Sequence, residues 1–424
     1  MTVQAPVEVL TFGCRLNLVE SEARRRAASA AGQRDLVIVN TCAVTAEATR
    51  QARQAIRRVA RQRPQARIVA TGCAVEVDRA AFAAMGEIAA IVPNAQKTGP
   101  ATWGAPAALD TPPGIEGHTR GFVAIQNGCD HRCTFCVIPF GRGASRSLPA
   151  GKIVAETQAL VASGHREVVL TGVDLTSWGA DLRDRPRLGE LVTAILAEVP
   201  DLARLRLSSL DMGEIDPPLL EAIGREQRLM PHLHLSLQSG NDLILKRMKR
   251  RHSRAAAIRL CRQVRALRPD MVFGADIIAG FPTETEAMFD DSLALIEECG
   301  LVHVHAFPYS PRPGTPAARM PQVAPEVARA RAARLRQAGA AAFVRHLDAQ
   351  VGRRITVLAE RSGRGRAEDF TPVHLPGARP GLLMPVEVIG HDGRTLAVSQ
   401  APSTAAPPAL PHLDLADARL IVTR

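Results

Sequence analysis

The chain has 424 residues, a hydrophobic content of 46% and a formal net charge of +11. This length allows two or three domains with at least one large core, and this composition excludes a disordered chain. No apolar run reaches the roughly 18 residues of a membrane-spanning helix, and residues 1–10 lack the pattern of a signal peptide. We therefore expect a cytoplasmic protein, in which cysteines bind metals or act in catalysis more often than they form disulfides.

The positive charge predicts a polyanionic partner. Basic residues concentrate in three stretches, at 50–67, 246–254 and 353–366. Three separate patches suit a large, shaped RNA better than a small anion. A bias in genome composition is the competing explanation, because Lys occurs at only four positions and Arg supplies the remaining positive charge.

The first array of predicted elements runs from residue 7 to about residue 94. Apolar runs at 7–12, 36–39 and 68–70 predict buried parallel strands, each followed by a helix. Each strand ends near a cysteine, at Cys14, Cys42 and Cys73. The carboxyl ends of parallel strands share one edge, so we expect a common ligand, for which thiolates favour an iron–sulfur cluster or zinc. The alternative is that each cysteine is a small apolar residue at a strand end.

Residues 95–120 predict a linker, because they are rich in Pro, Gly, Ala and Thr and lack periodicity. A second array follows, with helical patterns between its strands and no signal of an antiparallel hairpin. This pattern predicts a parallel partial barrel with its chemistry at the carboxyl ends of the strands. The six predicted strands are 121–126, 167–171, 204–208, 232–237, 272–279 and 301–308.

The loop after the first barrel strand carries the spacing C-x3-C-x2-C, formed by Cys129, Cys133 and Cys136. Three thiolates in one short loop can hold three corners of a cubane cluster and leave the fourth iron open to a substrate. A zinc site is the alternative, with His131 as the nearest fourth ligand. The position of His131 between two of the cysteines is poor for binding the same ion.

The remaining segments have simpler interpretations. Cys261 and Cys299 lie in apolar helical patterns and are predicted to pack in the core, and His232 and His234 are predicted to line the barrel. Residues 351–399 alternate short strands with Gly- and Arg-rich turns, which predicts a small β-barrel. Phe370 is its single aromatic residue, so phosphate contact is expected to dominate over base stacking.

C-x3-C-x2-C on the first turn of a βα barrel resembles the radical S-adenosylmethionine (SAM) superfamily. The upstream set of three cysteines resembles its methylthiotransferases. Four further motifs resemble the branch that modifies threonylcarbamoyladenosine in tRNA: G-C-R-L-N at 13–17 with E-S-E at 20–22, S-L-Q-S-G at 236–240, G-F-P-T-E-T-E at 280–286 and F-P-Y-S-P-R-P-G-T at 307–315.

The resemblance implies an α/β fold in four parts. These are an N-terminal open parallel βα domain (1–105), a central partial (βα)6 radical SAM barrel (115–345), a small RNA-binding β-barrel of the TRAM type (349–402) and a tail (403–424). It implies two [4Fe-4S] clusters and SAM as cofactors. Cys129, Cys133 and Cys136 would hold the cluster that binds SAM and yields a 5′-deoxyadenosyl radical, which takes hydrogen from C2 of the adenine.

Cys14, Cys42 and Cys73 would hold the auxiliary cluster, which carries the sulfur. The cofactor contacts implied by the resemblance are Thr171, Gly172, Gln238, Ser239, Asp276 and Gly280. The alternative for each of these residues is a purely structural role in a turn or loop.

The implied activity is insertion of a methylthio group at C2 of N6-threonylcarbamoyladenosine, next to the anticodon of tRNA. The implied partners are the tRNA anticodon arm, an electron donor such as flavodoxin or ferredoxin, and a sulfur source, with no membrane. Two sister activities stay open: methylthiolation of isopentenyl-adenosine in tRNA and of a ribosomal protein side chain. A non-catalytic iron–sulfur or zinc RNA-binding protein is the alternative of another class.

Overall fold

A computed structural model describes residues 5–106 and 114–400 of the chain, so the predicted tail at 403–424 lies outside the described residues. The N-terminal part alternates strands with helices, as predicted. Its elements are β1 (Glu8–Thr11), α1 (Arg15–Ala30), β2 (Leu36–Thr41), α2 (Ala46–Gln62), β3 (Arg67–Gly72), α3 (Cys73–Val77), α4 (Arg79–Ala83) and β4 (Ala90–Val92).

The four N-terminal strands form one parallel sheet in the order β1-β2-β3-β4. β2 is buried along its whole length, which explains its continuous apolar run. It continues to Thr41, past the predicted end, where the Asn40 side-chain amide donates to the Asn17 carbonyl at 2.9 Å and to Ser21 Oγ at 3.0 Å. β4 was not predicted, since three residues are too few to show a pattern.

The central part contains the second predicted array, and a helix of 24 residues follows its last strand. Its elements are β5 (Arg120–Ala124), β6 (Gln126–Asn127), α5 (Ile138–Arg142), β7 (Arg146–Ser147), α6 (Ala150–Ala162), β8 (Glu167–Thr171), α7 (Leu188–Glu198), β9 (Arg204–Leu207), α8 (Pro217–Arg225), β10 (His232–Gln238), α9 (Asp242–Met248), α10 (Arg254–Leu267), β11 (Val272–Ala279), α11 (Glu286–Glu298), β12 (Leu301–Pro308) and α12 (Pro325–Asp348).

Six parallel strands make the predicted partial barrel. They form the triplets β5-β8-β9 and β10-β11-β12, and a parallel bridge from Leu210 to Leu235 links the two. The expected absence of antiparallel pairing was wrong, because β6 and β7 pair antiparallel. Each contributes only two residues, and the Gln126 side chain secures the turn by donating to the Gly128 carbonyl and Ser145 Oγ, both at 2.8 Å.

The barrel helices bury one continuous apolar core against the strands. Cys261 and Cys299 are both fully buried in this core, which confirms the prediction that they pack there. Among the described residues, no helix has both the length and the apolar character needed to cross a membrane.

The C-terminal part is a closed barrel in the order β13-β14-β15-β17-β16, as the fold class predicted. β14 was missed because its Arg-Gly-Arg sequence has no apolar alternation, and pairing with two neighbouring strands holds it in place. The elements are β13 (Arg354–Glu360), β14 (Arg364–Arg366), β15 (Pro372–His374), β16 (Leu383–His391) and β17 (Leu396–Gln400).

A buried ion cluster joins the N-terminal sheet to the barrel. The Glu20 carboxylate on α1 is 2.6 Å from Lys97 Nζ, 2.9 Å from an Arg142 nitrogen on α5 and 3.3 Å from Arg24. Lys97 belongs to the predicted linker, yet it is only 1% exposed. Burial raises the pKa of Glu20, but the three cations outweigh it and hold the pKa at about 2.

Replacement of Glu20 by Gln should destabilise the protein by about 3–5 kcal/mol, because it leaves three buried cations without their carboxylate. Urea unfolding of the cluster-free protein at pH 7 measures this loss. Glu47→Gln is the matched control, because Glu47 pairs with Arg50 at the exposed surface and its replacement should leave the unfolding midpoint nearly unchanged. Equal unfolding midpoints for E20Q and E47Q would contradict the assigned role of Glu20.

The same carboxylate predicts a pH dependence. Its pKa is lowered from 4.5 to about 2 on folding, so its stabilisation is complete above pH 4.5 and is lost as the pH falls towards 2. The shift corresponds to about 3 kcal/mol. Unfolding curves of wild type and E20Q between pH 6 and 2 should therefore converge at low pH. A constant difference across this range would be incompatible with an ionised, ion-paired Glu20.

Candidate active site

A cavity of about 940 Å³ lies between the N-terminal sheet and the mouth of the central barrel. Both predicted sets of cysteines line it, although they come from separate parts of the chain. Its cysteines are Cys14, Cys42, Cys73, Cys129, Cys133 and Cys136. The structure thus brings all six candidate ligands to one chamber.

The first set lies at the carboxyl edge of the N-terminal sheet. Cys14 is the N-cap of α1, Cys42 directly follows β2, and Cys73 begins α3 after β3. Cys42 and Cys73 are buried and Cys14 is exposed to the cavity. Parallel topology therefore converges three residues that are far apart in sequence.

Charge near this set suits a group that carries negative thiolates. Arg24, Lys97 and Arg142 carry more positive charge than Glu20 balances, and all three interact electrostatically with Cys73. Arg24 Nη1 is buried and has no hydrogen-bond partner among the described residues. This surplus of positive charge suits a cluster whose thiolate ligands carry negative charge.

Gly13 makes room for this set. Its φ is +94°, and a Cβ atom at this position would lie 2.5 Å from Cys42 Sγ. Glycine is therefore required both for the backbone conformation and for the close approach of the sulfur.

The second set is held by the loop between β6 and α5. Cys129 N–H donates to the Gly143 carbonyl and Cys136 N–H to the Cys133 carbonyl, both at 3.1 Å. Two donors approach the sulfurs: Ile138 N–H lies 3.4 Å from Cys136 Sγ, and an Arg250 nitrogen lies 3.6 Å from Cys133 Sγ. Three soft donors in one ordered loop fit an iron–sulfur cluster.

Without a metal, Cys42, Cys129 and Cys136 are thiols. Burial raises the pKa of Cys42 and of Cys129 to about 12, with Asp174 adding to the effect at Cys129, and raises that of Cys136 to about 11. Metal binding must therefore release protons, as at other thiolate sites.

His131, the candidate fourth ligand of the zinc alternative, is bound to carboxylates. Its Nε2 atom lies 2.7 Å from Asp174 Oδ2 and 3.5 Å from Glu214 Oε2. Hydrogen bonds to these two groups raise the pKa of His131 to about 10. An Arg251 nitrogen also lies 2.6 Å from His131 Nε2. Cys129, His131 and Asp174 offer ligand atoms within 4.8 Å of one another, an arrangement that could hold a metal ion.

The implied cofactor contacts divide into two groups. Thr171, Gly172, Gln238 and Asp276 line the cavity.

Ser239 and Gly280 lie outside this lining. Ser239 Oγ accepts from Asn241 N–H at 3.2 Å, and Gly280 packs so tightly on Ala328 that a Cβ would lie 2.3 Å from it. These two residues support the turns after β10 and β11.

The prediction that His232 and His234 line the barrel is confirmed, but sequence reasoning missed a second pair of histidines beside them. His303 and His305 on β12 line the cavity beside His232 and His234 on β10. The signal was available, because the alternation V-H-V-H on β12 repeats the alternation H-L-H-L of β10.

Asp276 binds two of these histidines. Its Oδ1 atom lies 3.1 Å from His234 Nε2 and 3.3 Å from His305 Nδ1. Burial alone would raise the pKa of Asp276, but these two hydrogen bonds hold it well below its usual range. Two imidazoles and a carboxylate within 4.8 Å of one another are also an arrangement that could hold a metal ion.

Phe370 comes from the C-terminal barrel but closes the inner end of the cavity. Its ring stacks on His232, with 5.3 Å between centroids, and the Arg206 guanidinium lies 5.0 Å from its centroid. Phe370 is thus engaged within the protein, which accords with the expectation that base stacking by this barrel is limited.

Substitution of Gly13 by Ala should prevent assembly of one cluster, because the added methyl group occupies the space of Cys42 Sγ. We expect about eight irons per chain in reconstituted wild type and about four in the variant. Gly151→Ala is the control, since a Cβ there meets nothing within 4 Å. Iron and sulfide analysis measures the result, and a full iron complement in G13A would show that the close approach is unimportant.

Two family models match the chain. The Radical SAM superfamily matches residues 123–296, and the uncharacterized protein family UPF0004 matches residues 6–93. Among solved structures, the fold is similar to the radical S-adenosylmethionine methyltransferase TsrM from Kitasatospora setae, with a TM-score of 0.51 and 14% identity, covering 74% of this chain and 77% of that one.

Curated relatives match over nearly the full length. The chain is 44% identical to the threonylcarbamoyladenosine tRNA methylthiotransferase MtaB of Rickettsia prowazekii, over 90% of this chain and 94% of that protein. It is 34% identical to the tRNA-2-methylthio-N(6)-dimethylallyladenosine synthase of Cereibacter sphaeroides, over 92% of this chain and 97% of that protein. The chain therefore belongs to the radical SAM methylthiotransferase family.

Proposed function

We propose that the chain inserts a methylthio group at C2 of N6-threonylcarbamoyladenosine, next to the anticodon of tRNA. The observation that carries this proposal is that two sets of three cysteines line one cavity. A site for sulfur and a site for radical formation in one chamber allow both to reach the same base. The 44% identity to a threonylcarbamoyladenosine enzyme, against 34% to a dimethylallyladenosine enzyme, supports this substrate.

Each cysteine set has its own role in the proposal. Cys129, Cys133 and Cys136 hold the [4Fe-4S] cluster that binds SAM, and Cys14, Cys42 and Cys73 hold the auxiliary [4Fe-4S] cluster. When bound, these groups supply the 5′-deoxyadenosyl radical and the sulfur. Three protein ligands per cluster leave one iron of each free for an exogenous ligand.

The strand ends of the barrel are proposed to orient SAM. Thr171, Gly172, Gln238 and Asp276 are the candidate contacts, and all four line the cavity. Gln238 has a φ of +68°, which is uncommon for a residue other than glycine, and it follows an irregularity in the β10–β11 register. Ser239 and Gly280 would act indirectly, by supporting these turns.

Three basic surfaces are proposed to bind the phosphates of the tRNA anticodon arm. They lie on α2, on and after α9, and on the C-terminal barrel. Exposed members are Arg57, Arg58, Arg61, Lys246, Lys249, Arg353, Arg354 and Arg364. Separate surfaces around one cavity suit a folded RNA whose loop enters the chamber. An electron donor such as flavodoxin or ferredoxin, a sulfur source and a cytoplasmic location complete the proposal.

The two cysteine sets should be separable in one experiment. Proteins reconstituted anaerobically would be wild type, Cys129/Cys133/Cys136→Ala and Cys14/Cys42/Cys73→Ala, with Cys261→Ala as the control in the apolar core. They would be given SAM, a reductant and RNA hairpins that carry either threonylcarbamoyladenosine or isopentenyl-adenosine. Mass spectrometry would detect methylthio-RNA and 5′-deoxyadenosine.

We expect wild type and C261A to methylthiolate the threonylcarbamoyl hairpin. The Cys129 set variant should form no 5′-deoxyadenosine, and the Cys14 set variant should form it without methylthio-RNA. Preference for the isopentenyl hairpin would replace the proposed substrate with that of the sister activity. Wild type that binds zinc instead of iron, or binds RNA without cleaving SAM, would contradict an enzymatic role.

A further inference from the structure

Arg15 is a half-buried cation that the roles above leave unused. It directly follows Cys14, and its side chain lines the same cavity. Its hydrogen bond to Ser208 Oγ is long, at 3.4 Å. Among residues 5–106 and 114–400, no carboxylate lies within the 4.0 Å of an ion pair with it.

The surroundings of Arg15 are positively charged. Glu167 is bound by Arg206 at 2.9 Å, and Glu360 is bound by Arg120 at 3.1 Å. These two carboxylates are therefore already engaged. The guanidinium groups of Arg15, Arg120 and Arg206 lie 5.7 Å, 5.3 Å and 5.0 Å from the centroid of the Phe370 ring, so like charges crowd Arg15. An anion bound here would relieve this repulsion.

His232 adds an unsatisfied polar group at the same end of the cavity. It is 7% exposed, and neither of its ring nitrogens has a hydrogen-bond partner among the described residues. Burial and the neighbouring positive groups lower the pKa of His232 well below its usual range, so the ring is neutral and retains one N–H donor. A buried donor without a partner is costly, which indicates that a polar ligand is missing from this place.

We propose that Arg15, assisted by His232, binds the carboxylate of the threonyl group on the substrate base. This inference rests on the proposed function, since the threonylcarbamoyl group is the part of the modified adenine that carries a carboxylate. An RNA phosphate fits less well, because the Arg15 side chain extends inward from the cavity wall to the Phe370 ring, which stacks on His232. A guanidinium pairs with a carboxylate through two parallel hydrogen bonds.

The position of Arg15 gives this contact a consequence for specificity. Because Arg15 is the residue after Cys14, a carboxylate held by it lies beside the candidate auxiliary cluster. An isopentenyl group has no charge to offset the repulsion around Arg15. The enzyme should therefore discriminate against an uncharged base modification, because binding it would leave the Arg15 guanidinium without an anionic partner.

The test compares two RNA hairpins that differ only in charge. One carries threonylcarbamoyladenosine, and the other carries its threoninamide counterpart, in which a neutral carboxamide replaces the carboxylate. The proteins are wild type, R15Q, R15K and the control R225Q, whose arginine pairs with Glu221 at the exposed surface of α8. The readouts are kcat and KM for methylthiolation, hairpin affinity by fluorescence anisotropy, and iron content.

Wild type and R225Q should favour the carboxylate hairpin by about tenfold to hundredfold in kcat/KM, mainly through KM. R15Q should lose this preference, with kcat/KM for the carboxamide hairpin within about threefold of wild type. R15K should recover part of the preference, because it restores the charge but not the planar pair of donors. Iron content should be the same in all four proteins.

If R15Q fails to fold or loses iron, the comparison of the two hairpins with the wild-type enzyme alone still tests the carboxylate assignment. Equal use of both hairpins by wild type would overturn the carboxylate assignment while leaving the proposed function intact. An equal loss on both hairpins in R15Q with normal iron content would also overturn it, since Arg15 would then serve another purpose. Absence of methylthiolation of either hairpin by wild type would instead contradict the proposed function.

Discussion

The geometry of the chamber depends on a buried carboxylate. Glu20 binds cations from α1, from the segment after the N-terminal sheet and from α5 of the barrel, and it thereby connects both halves of the cavity. A buried ion cluster is stable only when its charged groups keep their distances from one another. The Glu20 cluster therefore permits one relative placement of the N-terminal sheet and the central barrel. Two metal centres that cooperate on one base need such a fixed separation, whereas apolar contacts alone would tolerate sliding.

Much of the site was predictable because its essential parts are local in sequence. Cys129, Cys133 and Cys136 occupy one loop, and Cys14, Cys42 and Cys73 each follow a strand. Parallel strands share a carboxyl edge, so strand patterns alone predict that distant cysteines converge. The same reasoning predicted six barrel strands to within a few residues, since each is long enough to show an apolar run.

The parts that escaped prediction depend on contacts between distant segments. β4, β14 and the β6–β7 pair are two or three residues long, and neighbouring strands hold them in place. The significance of Arg15 is visible only after the C-terminal barrel has docked, because Phe370 and the arginines around it define the charged end of the cavity. The sequence pattern of a small barrel does not indicate which of its side chains will enter the cavity of a neighbouring barrel.

The position of Phe370 gives the C-terminal barrel a second role, inside the active-site cavity. Its φ of +74° is costly for an aromatic residue, and such strain persists only where the surrounding packing demands it. The ring forms the floor of the central barrel, beside His232. A carbon radical survives only where water and stray hydrogen donors are kept out. The C-terminal barrel, which is proposed to bind RNA, therefore also closes the inner end of the active-site cavity. Exchange of this barrel between enzymes would alter both the containment of the radical and the choice of RNA.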